Sequence, residues 1–184
     1  LSYFMTKNEE NNEITSNLTA PLASFAEKIH RRSLSNFNAP IDSNNLLFKL
    51  LSGHISQVED MGNFMYQPKG SAISLPLAAS SSMVTEIAPL SILQRSLQNA
   101  FVIFEEPEAH LHLEAQREMA RIIVQMVNSG CNLIITTHSD TFLQQLNNLL
   151  LLNDHPKKDE LLDKFDLSES DIISPDKVAA YDFE

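Results

Sequence analysis

The second half of the chain alternates short apolar runs with amphipathic stretches. The runs at 99–104 (NAFVIF) and 131–137 (CNLIITT) predict two buried strands, because uninterrupted apolar runs of this length are typical of strands covered on both faces. Residues 113–130 repeat apolar side chains at helical spacing, and residues 139–152 begin with capping Ser and Asp, so both predict helices. This β-α-β-α order predicts an α/β fold with a parallel sheet flanked by helices.

The first half shows a different pattern. Residues 21–32 and 43–53 predict two short helices, the second opened by Ser or Asn and closed by Gly53. Residues 54–77 alternate short apolar groups with Asp, Gly and Pro turns, which predicts a small antiparallel meander. A serine cluster then precedes another helical pattern, in which Pro89 predicts a kink or the true start of the helix.

These patterns predict four regions. Residues 1–45 form an irregular and helical lead-in, and residues 46–80 form a small β-rich lobe. Residues 81–153 carry the parallel-sheet core, and residues 154–184 form an acidic tail that closes on a late strand (KVAAYDF). The chain starts on Leu rather than Met, and we expect it to be a piece of a longer polypeptide or one half of a divided one.

The composition of the chain argues against a nucleic-acid-binding surface, a disulfide-rich fold and a membrane protein. The formal net charge of −11 argues against a broad surface for nucleic-acid phosphates on this segment. Cys131 is the only cysteine, which excludes a disulfide framework and suggests a small core residue. No apolar run is long enough to span a bilayer, and no signal peptide opens the sequence. We therefore expect a cytoplasmic protein that does not enter a membrane.

Two adjacent carboxylates follow the first predicted strand of the second half, and a histidine follows the next. Glu105 and Glu106 end the run at 99–104, and His138 ends the run at 131–137. Ligands of open α/β sheets bind beyond the carboxyl ends of the strands, so these side chains are expected to converge on one edge. A metal and a ligand there would compensate the cost of holding two carboxylates together.

Residues 101–112 (FVIFEEPEAHLH) resemble the Walker B strand and D-loop of ABC-type ATPases. Residues 133–140 (LIITTHSD) resemble their switch-histidine strand, and residues 78–83 (AASSSM) resemble a variant signature at a similar spacing before Glu105. Bacterial AAA/ABC ATPases related to the overcoming-lysogenization-defect, RecF and SMC-type proteins share these phrases. The resemblance covers residues 46–153 and implies the parallel-sheet portion of a P-loop NTPase fold, with a small β-meander and helical lobe.

The resemblance implies a role for each matched residue in ATP hydrolysis. Glu105 would hold the shell of a Mg²⁺ ion, at a position where the family more often has Asp. Glu106 would orient or deprotonate the attacking water, and His138 would donate a hydrogen bond to the γ-phosphate. Ser81 and Ser82, at a helix N-terminus, would contact the γ-phosphate bound by an opposing subunit.

The resemblance also implies partners. The loop AHLH, which contains His112, would line the seam of a homodimer that closes over two ATP molecules. Hydrolysis would drive a conformational change in an attached or partner effector, and a DNA-acting effector is one such expectation.

Two features depart from the family pattern. Met83 stands where the signature has glycine, and a side chain there can hinder a close approach to phosphate. No Gly-x-x-x-x-Gly-Lys-Ser/Thr motif occurs among the 184 residues, so the amide nest that cradles the β-phosphate is not encoded in them. We expect an upstream segment or a partner to supply this loop, and we expect the chain alone to be inactive.

Two other interpretations are open at this stage. A non-catalytic interaction module would keep the ATPase fold without turnover, as Met83 would favour and Glu106 and His138 would oppose. A metal-dependent hydrolase would use His110 and His112 with Glu106 and Glu108 nearby, although the spacing of the histidines matches no helical zinc motif. The serine cluster can also be read simply as a helix cap.

Overall fold

The structure is a computed structural model that describes residues 45–57, 64–93, 97 and 99–182. The chain divides into two compact units, with the boundary between residues 95 and 96. The helix predicted at 21–32 and most of the lead-in lie outside the described residues.

A short helix, α1 (Leu46–Leu51), opens the described part of the first unit. The Asn45 side chain accepts a hydrogen bond from the Leu47 amide at 2.8 Å and caps the helix, as the sequence predicted. The predicted stop at Gly53 is wrong by one residue. Ser52 takes the left-handed conformation, with φ 49°, and its amide donates a hydrogen bond to the Lys49 carbonyl at 3.1 Å.

Gly53 instead begins the first of three antiparallel strands. These are β1 (Gly53–Gln57), β2 (Phe64–Pro68) and β3 (Leu75–Pro76), in the spatial order β1-β2-β3. The predicted meander is therefore confirmed. Phe64 and Tyr66 of β2 are buried, and this alternation is typical of a strand with one covered face.

Gly53 leaves room for the ring of Tyr66. A Cβ atom at residue 53 would lie 2.4 Å from the Gln67 carbonyl oxygen and 2.6 Å from ring atom Cε2 of Tyr66. The Tyr66 hydroxyl donates a hydrogen bond to the Leu51 carbonyl at 2.7 Å, which holds the ring in place. The glycine thus permits a close contact between α1 and the sheet.

Gly53→Ala is expected to destabilise the first unit by about 2 kcal/mol, because backbone and ring must both shift to admit the methyl group. Gly70→Ala is the matched control: no atom lies within 4 Å of its added Cβ, and only the positive φ of 77° opposes the change. Urea unfolding of both variants separates the steric cost from the conformational one. Equal losses would contradict the steric explanation.

A single turn of 3₁₀ helix (Leu77–Ala79) leads to α2 (Ser82–Leu93). Pro89 lies inside this helix, so it is not the helix start. Proline has no N–H to donate to the carbonyl four residues earlier, at Thr85, yet the helix continues for another turn. Its buried side chains are Val84, Ile87, Ala88, Leu90, Ile92 and Leu93.

The second unit contains a parallel pair of strands, β4 (Phe101–Glu105) and β5 (Asn132–Thr136). In register, Glu105 lies opposite Thr136. The connection between them is α3 (Leu113–Asn128), and α4 (Asp140–Leu151) follows β5. The predicted α/β class, with parallel strands and intervening helices, is confirmed.

The helices of the second unit pack on a common core. Ala120, Ile123 and Val124 of α3 are buried, as their helical spacing predicted. Val124 belongs to an apolar cluster formed by α3, α4 and the segment after α4. The other buried members of this cluster are Leu149, Leu152, Leu162, Ile172 and Ile173. Cys131 is also buried, and burial raises the pKa of its thiol, which agrees with a small core residue.

Among the described residues neither strand is fully buried, and the prediction that both strands are buried is wrong. Phe101, Ile103 and Ile134 are 63%, 60% and 51% exposed. Alternate residues point to opposite faces of a sheet, so these three side chains and Glu105 lie on the same, more exposed face of the strand pair. A continuous apolar run therefore predicts a strand here, although its residues alternate between exposed and half-buried in the structure.

The acidic segment after α4 holds a short helix, α5 (Lys158–Lys164), and 3₁₀ turns at Glu169–Asp171 and Pro175–Lys177. The short helix was predicted. The late strand was not found: residues 178–182 are exposed and belong to no strand, because no neighbouring strand pairs with them in the described part of the chain.

A buried ion pair fastens this segment to α3. Asp171 is fully buried, and its carboxylate accepts hydrogen bonds from Arg121 at 3.0 Å and Gln125 at 2.9 Å. The amide and hydroxyl of Ser168 donate to it as well. Burial alone would raise the pKa of Asp171, but the bonds from Arg121 and Ser168 outweigh burial and lower it.

Candidate functional site

The carboxyl end of β4 carries the two adjacent glutamates. Glu105 is the last residue of the strand and is exposed. The Glu106 amide donates to the Thr136 carbonyl at 2.9 Å, so the pairing with β5 continues one residue beyond the strand. Glu106 itself has φ 43°, the left-handed conformation that side chains other than glycine adopt infrequently. The chain thus turns sharply at Glu106.

His138 lies beside Glu106. Their closest atoms, Nε2 of His138 and Oε1 of Glu106, are 3.4 Å apart, and the side chains are 88% and 50% exposed. The structure therefore brings together the two side chains that the sequence assigned to catalysis. The pair forms because the carboxyl ends of parallel strands meet at the same edge of a sheet.

A buried carboxylate lies behind this pair. Glu108 is only 5% exposed, although it belongs to the same polar stretch as Glu105 and Glu106. Its Oε1 accepts hydrogen bonds from the Thr137 hydroxyl and from the His138 amide, the latter at 3.3 Å. The other oxygen, Oε2, is buried and has no hydrogen-bond partner among the described residues.

The loop after β5 is tied to α3 as well. The Ser139 hydroxyl donates to Oε1 of Gln116 at 2.6 Å and accepts from the Phe142 amide at 3.1 Å, which caps α4. Gln116 in turn donates to the Leu111 carbonyl at 3.0 Å. Side chains thus connect the loop after β4 to the loop after β5 through two separate routes, Glu108 and Gln116.

His112 caps α3. Its Nδ1 accepts a hydrogen bond from the Ala115 amide at 3.3 Å. His110, two residues earlier, has φ 59° and helps to turn the loop. Among the described residues, no group of three His, Cys, Asp or Glu side chains could hold a metal ion. The hydrolase interpretation based on these two histidines therefore gains no support.

Ser81 and Ser82 belong to the first unit, and their position is described within it. The Ser81 hydroxyl accepts from the Val84 amide at 3.4 Å, and α2 begins at Ser82, so Ser81 caps the helix. Both serines are exposed, and Met83 is half-buried. The helix-cap interpretation of the serine cluster is confirmed.

Comparison with known protein families decides the assignment. The sequence matches the family described as "AAA ATPase domain" over residues 4–143, a span that contains the serine cluster, Glu105, Glu106 and His138. The chain belongs to the AAA ATPase domain family. The resemblance inferred from the motifs is thereby confirmed, and the protein is of the ATPase, nucleotide-binding type.

A search among curated proteins found no match. Solved structures with similar folds include one described under "ATP-driven dimerization and DNA stimulated activation of SMC ATPases", at 18% identity and a TM-score of 0.44, covering 67% of this chain and 74% of that one. Another is an SMC head bound to the C-terminal winged-helix domain of ScpA, at 17% identity and a TM-score of 0.47, covering 78% and 47%.

A Pyrococcus furiosus Smc head with an extended coiled coil, bound to the C-terminal domain of ScpA, has 18% identity and a TM-score of 0.44. This chain covers 32% of its length. The family match carries the assignment. In the described residues, no helix has the length and apolar character that crossing a membrane requires.

Sequence reasoning named Glu108 only as a carboxylate near His110 and His112 and gave it no role in the ATPase site. Its motif is dominated by charged and polar letters, and a buried carboxylate cannot be distinguished there from its exposed neighbours. The sequence contained one signal: Pro107 and Leu111, on either side of Glu108, are apolar, and both are buried in the structure, where this loop packs inward.

Proposed function

We propose that this chain supplies the Walker B, signature and switch-histidine portion of an ATP-hydrolysing domain. The observation that carries the proposal is the 3.4 Å approach of Glu106 and His138 at the carboxyl edge of two parallel strands. A phosphate-binding loop from an upstream segment or a partner would complete the site, since residues 1–184 contain no such motif.

The pair suits phosphoryl transfer to water. Such a reaction requires a water molecule held in line with the γ-phosphate and donors that neutralise the charge on its oxygens. Glu106 offers a carboxylate that can accept a proton from this water. His138 offers a ring nitrogen that can donate to a phosphate oxygen, and both groups are exposed enough to reach a ligand.

Stability does not explain the arrangement. An exposed ion pair contributes about 0–1 kcal/mol, and a non-glycine residue in the left-handed region costs about 1–2 kcal/mol. The left-handed backbone at Glu106 therefore costs about as much free energy as the contact between Glu106 and His138 can contribute. Conformations of this kind concentrate at functional sites, where the surrounding structure holds them in place.

The residues present fit a Mg²⁺ ion that arrives with its nucleotide. Mg²⁺ is usually held by one or two carboxylates, with phosphate and water oxygens completing its shell. Glu105 is an exposed carboxylate at the strand end, and it would take this role. When bound, the ion would neutralise charge on the phosphates.

The remaining predicted residues would act across a dimer. Ser81 and Ser82 present hydroxyls and the first amides of α2, which suit a phosphate bound by an opposing subunit. His112 lies on the loop predicted to line the seam between subunits. A homodimer that closes over two ATP molecules and drives an effector, with a DNA-acting effector as one possibility, remains part of this proposal.

Replacing His138 by alanine tests the proposal in the protein completed by its phosphate-binding loop. We expect kcat for ATP hydrolysis to fall by about 10- to 100-fold, because one charge-stabilising donor is lost. The Kd for Mg-ATP should change little. His155→Ala is the matched control, since His155 is exposed and its ring accepts only the Lys157 amide.

An unchanged kcat in His138→Ala would contradict the proposal. It would favour the alternative function, an interaction module that keeps the ATPase fold without turnover. The observation that supports this alternative is the half-buried Met83 at the position of the signature glycine.

A further inference from the structure

The buried carboxylate of Glu108 has no role in the proposed chemistry. It nevertheless accepts a hydrogen bond from the amide of His138, which has such a role. Apart from Glu108, Asp171 is the one other buried charged side chain among the described residues. Asp171 is fully paired, whereas Oε2 of Glu108 has no partner in the described part of the chain. Burying a carboxylate with an unsatisfied oxygen is costly, so a compensating role is expected.

The bonds of Glu108 show where it acts. Its Oε1 accepts from the Thr137 hydroxyl and the His138 amide, which are consecutive groups of the loop after β5. The Thr137 oxygen in turn accepts from the Ser139 amide at 3.1 Å. One carboxylate oxygen therefore organises the backbone on both sides of His138.

The same carboxylate belongs to the loop that carries Glu106. The Ala109 amide donates to the Glu106 carbonyl at 2.8 Å, and the Leu111 amide donates to the Glu108 carbonyl at 3.1 Å, so the loop folds into consecutive turns. Two left-handed residues, Glu106 and His110, bracket these turns. Glu108 thus joins a turned loop after β4 to the loop after β5, and both loops end at the exposed pair.

We propose that Glu108 is a positioning residue for His138: its buried carboxylate fixes the loop after β5 so that the His138 ring stays beside Glu106. The inference rests on the proposed function, and it adds a residue that holds the pair without touching substrate. The His138 side chain is 88% exposed, and within the described residues its ring makes no ion pair or hydrogen bond other than the approach to Glu106. Its orientation therefore depends on its backbone, which Glu108 holds.

Amide exchange measured by NMR on this chain tests the positioning without turnover. In Glu108→Ala, exchange at the His138 amide should speed up by about 10-fold or more, because its acceptor is lost. Exchange in the middle of α3, at Val124, should not change. Glu114→Ala is the control, because Glu114 is an exposed glutamate in the first turn of α3. Unchanged protection at His138 would overturn the proposal.

Kinetics of the completed ATPase supply the second readout. Glu108→Ala should lower kcat by about 10-fold or more with KM within about 3-fold, since a misplaced group weakens the transition state more than binding. Glu108→Gln keeps an acceptor oxygen and should retain most of kcat. In a His138→Ala background, Glu108→Ala should cause less than about a 2-fold further loss, because the two residues act as one unit.

If the losses in kcat from Glu108→Ala and His138→Ala multiply in the double variant, the positioning role is wrong. It is also wrong if Glu108→Gln lowers kcat as much as Glu108→Ala does. If Glu106→Gln leaves ATP hydrolysis unchanged, the proposed function fails by itself. The exchange rate at His138 still decides then whether Glu108 holds the loop.

Discussion

Glu106→Gln is expected to abolish most ATP hydrolysis in the completed protein while leaving ATP binding intact. Glutamine keeps the size and hydrogen-bonding reach of the side chain but cannot take a proton from water, and a positioned general base contributes about 10²- to 10⁴-fold to a rate. We expect kcat to fall within that range, measured by phosphate release at saturating Mg-ATP. The Kd for Mg-ATP should change by less than about 3-fold, because Glu106 would act on the water rather than on the nucleotide.

Glu114→Gln is the matched control, since the same substitution is made at an exposed glutamate in the first turn of α3. Its kcat should equal that of the unmodified protein. A Glu106→Gln protein that hydrolyses ATP at the normal rate would remove Glu106 from the mechanism. A variant that no longer binds Mg-ATP would instead assign it to the binding of metal or nucleotide.

Asp171→Ala is expected to cost the second unit about 3–5 kcal/mol of unfolding free energy, because it leaves a largely buried guanidinium without its main partner. The Arg121 side chain is 12% exposed and keeps only its 3.1 Å contacts to Glu118 and a bond to the Asp166 carbonyl. Urea unfolding followed by circular dichroism measures the loss. Asp176→Ala is the control, since Asp176 is exposed and should change stability by less than about 0.5 kcal/mol.

The same pair predicts a dependence on pH. The pKa of Asp171 is lower in the folded protein than its ordinary value of 3.8, so the folded state favours the carboxylate. Its contribution is complete above the unfolded pKa and is lost as pH falls through the lower, folded pKa. The stability difference between the unmodified protein and Asp171→Ala should therefore shrink as pH falls below about 4. A difference that grows on acidification would contradict the ion-pair explanation.

Most elements of the second unit could be predicted from local pattern. The helical spacing of α3 places Ala120, Ile123 and Val124 on one face, and the capping Ser139 marks the start of α4. The convergence of Glu106 and His138 followed from the rule that parallel strands end at one edge. These predictions succeeded because they depend on periodicity and topology, which a single sequence contains.

The failures have a different cause, since each depends on contacts between distant residues. The predicted late strand at 177–183 has the right apolar letters, but a strand also needs a neighbour, and residues 178–182 find none among the described residues. Ser52, rather than Gly53, ends α1 because Gly53 is required under the ring of Tyr66. The burial of Glu108 was not predicted, because it depends on hydrogen bonds to the loop after β5.

The exposed apolar face of the two parallel strands makes the stability of the second unit sensitive to any molecule that binds there. Phe101, Ile103 and Ile134 place three large apolar side chains in water on one face. Any molecule that binds this face in the folded state alone stabilises the fold by mass action, by about 2.7 kcal/mol at a hundred times its Kd. A molecule that covers this face would therefore raise the melting temperature of the chain, and the rise would depend on that molecule's concentration.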